Sequence, residues 1–174
     1  MKHFILMDSN FIVATIDKND AFHKNAVYMF NEIIKHEERI KIIIPPLGLY
    51  EIIVTLKRKG FSNTTINNQV MKLICLDYVI VASITDISAF KHCKSSLIAS
   101  SQSSSLRTND FLIVSLAIDY QALILTFDQK VINKIKPIYS DIYYCSDIGN
   151  AKDESLEFLQ LLDYYIDSMV DISE

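Results

Sequence analysis

Glycine and proline are scarce, with three of each in 174 residues, and tryptophan is absent. So little glycine leaves no room for a glycine-rich phosphate loop or a flexible tether of any length, which removes the P-loop and dinucleotide-binding classes. Cysteine is equally rare. Cys75, Cys93 and Cys145 are odd in number, far apart and without C-x-x-C spacing, so no cysteine metal or redox motif is expected and a reducing compartment is implied. Cys75 and Cys93 read as small core residues. His3, His23, His36 and His92 form no motif with one another or with the cysteines. No run approaches 18 apolar residues, and the start reaches Asp8 before a signal-like stretch can form. The chain is therefore expected to be soluble and cytoplasmic, with no membrane segment.

Positive charge is also lacking. A net charge of −4 and a pI near 5.5 argue against gripping nucleic acid by bulk charge. The balance changes if four carboxylates form a metal site: setting them aside leaves a net charge of zero, and bound cations would reverse the local sign.

What is present is apolar residue, half of the composition, in a length suited to one domain with a sizeable core. Strands are expected at residues 4–7, 41–44, 78–82, 122–125 and 142–145, from short β-branched or apolar runs. Helices are expected at 21–38, 47–59, 63–75, 85–98, 111–117, 131–135 and 151–171. Pro45 and Pro46 stop the second strand, Gly60 closes the second helix, and Thr108 or Asn109 is positioned to cap the nearly all-apolar segment at 111–117. The Ser-rich stretch 100–105 is the one low-complexity segment and reads as a mobile loop. The helix at 151–171 carries Phe158, Leu159, Leu162, Ile166 and Met169 on one face and acids largely on the other, so it is expected to pack on the domain formed by residues 1–150. Strands alternating with helices predict a three-layer α/β/α fold around a mostly parallel sheet.

In such folds ligands collect outside the carboxyl ends of the strands. Asp8 and Asp128 sit at such ends, Asp110 near the start of the central helix, and Glu51 in a helix that begins just after a strand. Four acids facing one cleft would repel, raising one another's pKa or requiring a cation, and all-oxygen ligands suit Mg2+ or Mn2+. One or two such ions, about 3.5–4 Å apart when paired, can activate water and stabilise the leaving oxygen at a phosphodiester. The bland alternatives are a solvated strand end for Asp8, pairing of Glu51 with Thr55 or Lys59, a helix-dipole role for Asp110 and an N-cap role for Asp128. Lys57, Arg58 and Lys59 suit a solvated helix end or phosphate contact, and Arg107 suits a phosphate or the acids themselves. A receiver-like phospho-acceptor fold would need an acidic pair at the first strand and an Asp ending the third, which the sequence does not have.

In the segments 4–10 (Phe-Ile-Leu-Met-Asp-Ser-Asn), 45–51, 106–110 (Leu-Arg-Thr-Asn-Asp) and 125–128 (Leu-Thr-Phe-Asp) the chain resembles the PIN-domain family, including the VapC-type ribonucleases, over about residues 4 to 130. The resemblance implies a parallel-sheet nuclease fold, Mg2+ or Mn2+ dependence and cleavage of single-stranded RNA, with single-stranded or structured RNA as the partner. It implies Asp8, Glu51 and Asp110 as principal ligands, Asp128 as an additional one, and Ser9, Asn10 and Thr126 in support. A toxin role, an antitoxin-like protein partner and a homodimer also belong to what it implies. Where the family often has Gly after the central helix, this chain has Tyr120-Gln121, so that turn is expected to be built differently. The remaining alternative is a catalytically silent RNA-binding or protein-interaction module on the same fold.

Overall fold

Side chains of alternating apolar residues point to opposite faces of the strands, and that alternation divides the core in two. A computed structural model describes residues 2–82, 106–145 and 152–167. Its strands are β1 (His3–Met7), β2 (Ile40–Ile44), β3 (Val79–Val81), β4 (Leu123–Thr126) and β5 (Ile142–Tyr144). They form one sheet in the order β3-β2-β1-β4-β5, with every pairing parallel. Ile5, Met7, Ile42, Ile44, Leu123 and Leu125 face one cluster, whereas Leu6, Ile43, Ile124 and Ile142 face the other.

The helices among the described residues are α1 (Ser9–Ile16), α2 (His23–Ile34), α3 (Pro46–Arg58), α4 (Asn63–Ile74), α5 (Thr108–Tyr120), α6 (Gln129–Ile135) and α7 (Lys152–Asp167). The first four and α7 supply the first cluster; α5 and α6 supply the second. The result is the three-layer α/β/α arrangement expected from the element order. No helix among the described residues is long and apolar enough to cross a membrane.

Several local expectations need correction. Helix α1 was not expected at all: Phe11, Ile12, Val13 and Ala14 are buried in succession, so it shows no polar face from which a period could be read. Helix α5 begins with Arg107 as its N-cap residue, not Thr108 or Asn109. Cys75 is exposed, because it follows the last turn of α4 on the solvent side, while Cys145 is buried. Cys93, the helix at 85–98, the Ser-rich stretch 100–105 and Met169 lie outside the described residues.

The turn after α5 uses left-handed backbone at Gln121, φ 50° and ψ 47°. This is the conformation in which glycine is ordinarily preferred, so the absence of glycine has not removed the geometry. Tyr165 of α7 reinforces it. Its hydroxyl lies 2.7 Å from Gln121 O and 2.8 Å from Phe4 O, and it accepts from Leu123 N at 3.2 Å.

Candidate active site

The strand order sets the location. From β1 the chain winds to β2 and β3 on one side and, later, to β4 and β5 on the other, so the crevice at the carboxyl ends of β1 and β4 is the topological switch point. Asp8 directly follows β1, and Asp128 follows β4 by two residues. In register Met7 is paired with Leu125, which brings the next residues, Asp8 and Thr126, side by side.

Asp8 is 4 % exposed and is held from three sides. As the N-cap of α1 its Oδ1 accepts from Ser9 N at 2.7 Å; its Oδ2 accepts from Thr126 Oγ1 at 2.8 Å and from Asn10 Nδ2 at 3.0 Å. Burial pushes the Asp8 carboxyl up to about 6, with Glu51 adding to the rise and the Thr126 and Ser9 hydrogen bonds opposing it. Asn10 ties the two strand ends together, since its Oδ1 accepts from Phe127 N at 3.1 Å.

Glu51 projects from α3, which Pro46 starts immediately after β2 and Pro45. Its Oε2 accepts from Ser9 Oγ at 2.8 Å and from Asn109 Nδ2 at 2.9 Å. The same Ser9 Oγ lies 3.3 Å from Asp8 Oδ1, so a single hydroxyl stands between two carboxylates. Neither Thr55 nor Lys59 takes the Glu51 carboxylate: the Lys59 ammonium instead binds Asp17 and Asp20, at 2.7 and 2.8 Å.

Asp110 lies in the first turn of α5, its Oδ2 3.4 Å from Arg107 N and 3.5 Å from Lys134 Nζ. Asp128 does cap α6, accepting from Lys130 N at 2.7 Å and Val131 N at 3.4 Å through Oδ1. Capping and cleft lining coincide in this residue. All four acids line one cleft of about 530 Å3, together with Ser9, Asn10, Asn109, Arg58 and Arg107. Lys57 is not among the lining residues; its ammonium donates to Asn63 Oδ1 at 2.9 Å.

The donor set fits a hard divalent cation. Four carboxylates and two arginines line the cleft, and the ionised form of Asp8 is disfavoured by its burial. Asn109 Oδ1 is buried without a hydrogen-bond partner beside Glu51. Each carboxylate is also engaged by partners of its own, Ser9 and Asn109 on Glu51, Thr126 and Asn10 on Asp8, Lys134 on Asp110 and the α6 backbone on Asp128. Among the described residues no three Asp, Glu, His or Cys side chains form a group that would hold a metal as it stands.

Asn109 and Lys134 were missed in the sequence. The sequence marks Asn109 only as a candidate helix cap, and nothing in the spacing of Lys134 indicates that α6 would carry it to Asp110. The sequence signal available for Asn109 was its place beside Asp110 at a helix start. No curated protein matches the chain. The PIN domain family does match, over residues 5–136 and so over well more than half of the sequence: the chain belongs to the PIN domain family, whose members are generally nucleases using divalent metals.

Proposed function

We propose that this protein is a metal-dependent endoribonuclease, with Asp8, Glu51, Asp110 and Asp128 holding Mg2+ or Mn2+ in the cleft at the β1 and β4 ends. The single observation that carries the reading is the convergence of all four acids on one cleft at the switch point of the sheet. A divalent cation there would offset the carboxylate repulsion and, as a Lewis acid, stabilise charge developing on a phosphodiester. The chain's own groups do the rest. Ser9 and Asn109 orient Glu51, Thr126 and Asn10 orient Asp8, and Arg58 and Arg107 flank the acids with the guanidinium chemistry that phosphates take up best. Cleavage of single-stranded RNA in Mg2+ or Mn2+, abolished by EDTA, is the test; purified protein that cuts RNA equally well in EDTA overturns it.

Asn109→Ala removes one of the two hydrogen bonds on Glu51 Oε2. By analogy with other residues that orient metal ligands, it should lower metal affinity or activity about 10- to 100-fold, read by calorimetry with Mn2+. Arg58→Ala should weaken RNA binding at every sequence and lower the slope of log affinity against log salt by roughly one. A salt titration of binding checks this, and an unchanged slope removes Arg58 from the phosphate path.

The PIN-domain resemblance extends the reading to the toxin of a toxin–antitoxin pair, with an antitoxin-like protein or a second copy of the chain as partner. A second reading, a catalytically silent RNA-binding or protein-interaction module, is favoured by the hydrogen bonds that already occupy the Asp8, Glu51 and Asp128 carboxylates. Calorimetry distinguishes the two: tight RNA binding with no heat from millimolar Mg2+ or Mn2+ supports the silent module.

A further inference from the structure

A second cavity, of about 570 Å3, adjoins the acidic cleft and shares Ser9, Asn10, Thr55 and Asp128 with it. The two therefore have wall residues in common, among them Ser9 and Asn10, which hold Asp8. The volume is in the range of small-ligand pockets, about 300–1,000 Å3. Its apolar wall is formed by Phe22 and Phe127, whose rings stack with centroids 4.7 Å apart and planes 12° from parallel. Phe11 stacks on Phe127 as well, at 5.4 Å and 10°, so Phe127 is buried between two rings and the half-buried Phe22 is the ring of the stack left to offer a face to the cavity. The polar part of the lining includes Asn19, Asp20 and Lys59.

The charge pattern decides what can enter. Among the described residues Lys59 is the one cation lining this cavity, and Asp17 and Asp20 both hold its ammonium, so little positive charge is left there for a phosphate. An aromatic wall with amide and carboxylate edges suits instead a neutral, flat, hydrogen-bonding group. We propose that this cavity seats the nucleobase of a nucleotide adjoining the phosphate in the acidic cleft, so that the strand must be unpaired there. The inference rests on the nuclease reading of that cleft for its adjacent phosphate. A base within a duplex has its faces stacked and its edge paired, and must leave both to enter such a pocket.

The test compares a short fluorescein-labelled single-stranded RNA with otherwise identical strands that lack one base at successive positions. Binding to Asp110→Asn protein is measured in Mg2+ by anisotropy; Asp110 does not line the cavity. Loss of the base at one position should weaken binding roughly 5- to 100-fold, the range expected for base–aromatic stacking. Ala21 is exposed and lines the cavity, so Ala21→Trp fills it from the solvent side. In that background the intact strand should bind as weakly as the abasic one, and the position effect should vanish. Equal binding of all strands, absence of binding by any of them, or a position effect that survives Ala21→Trp overturns the proposal. Cleavage by the unaltered protein in Mn2+ is assayed in parallel. Base-dependent binding without cleavage keeps the cavity and overturns the nuclease reading, whereas cleavage without base dependence does the reverse.

Discussion

Asp8→Asn and Asp110→Asn should each reduce metal-dependent RNA cleavage about a thousandfold, the scale of several kcal/mol expected when a principal electrostatic element of a phosphoryl-transfer site is removed. Each change deletes a negative charge while keeping side-chain shape. At Asp8 the asparagine oxygen can still accept from Ser9 N, while the new amide replaces the oxygen that accepts from Thr126 Oγ1 and Asn10 Nδ2, so those two hydrogen bonds are lost and folding has to be checked. At Asp110 the substitution removes the partner of Lys134, an ion pair whose ammonium is one-third exposed and therefore of small weight. Single-turnover cleavage with gel-resolved products, alongside circular dichroism to verify folding, measures the loss. Undiminished cleavage by the folded double variant would mean that the chemistry lies elsewhere.

In the absence of metal, Asp8 should contribute about 3 kcal/mol of stability at pH 4 that is lost by pH 7, and Asp8→Asn should remove that part of the pH dependence. The Asp8 carboxyl is pushed up to about 6 in the folded protein, while in an unfolded chain an aspartate titrates near 4. Between these values the folded state retains a proton that the unfolded state has released. The stabilisation is therefore complete below about pH 4 and is lost as pH rises through 6, at about 1.4 kcal/mol per unit of separation. Asp17 acts in the opposite direction. The Lys59 ammonium holds its carboxyl below the usual range, so its contribution is present above about pH 4 and lost only at lower pH, outside the window set by Asp8. Denaturant melts in EDTA across that window measure the effect. With Mn2+ the slope should reverse, because the cation competes with the proton and stabilises the folded state more as pH rises.

The parallel sheet was legible because its strands are short and almost wholly apolar: Ile42, Ile43 and Ile44 can only be buried on both faces. Asp8, Asp110 and Asp128 were legible for a related reason, since each stands at or near the end of an apolar element, whereas Glu51, inside α3, was legible only from the segment 45–51 around it. Helix α1 was hidden by the same burial. Ile12, Val13, Thr15 and Ile16 are β-branched residues that suit a strand at least as well, and only packing against the sheet, α2 and α3 makes the segment helical. Which basic residue faces the cleft was equally out of reach. Lys57, Arg58 and Lys59 are consecutive, yet successive helical positions point about 100° apart. Arg58 lines the acids, Lys57 turns to Asn63, and Lys59 closes on Asp17 and Asp20.

The distances along the chain between the groups that meet at Asp8 govern when the site comes into being. Thr126 lies 118 residues beyond Asp8, and Asn109 lies 58 beyond Glu51. Strand β1 is translated first among the strands but occupies the middle of the sheet, and one of its neighbours, β4, emerges from the ribosome only after residue 123. Until then Asp8 has neither its Thr126 contact nor Asp128 nearby. Whatever chemistry the cleft performs is thus withheld from the growing polypeptide until β4 has been made, while its own message is the nearest RNA.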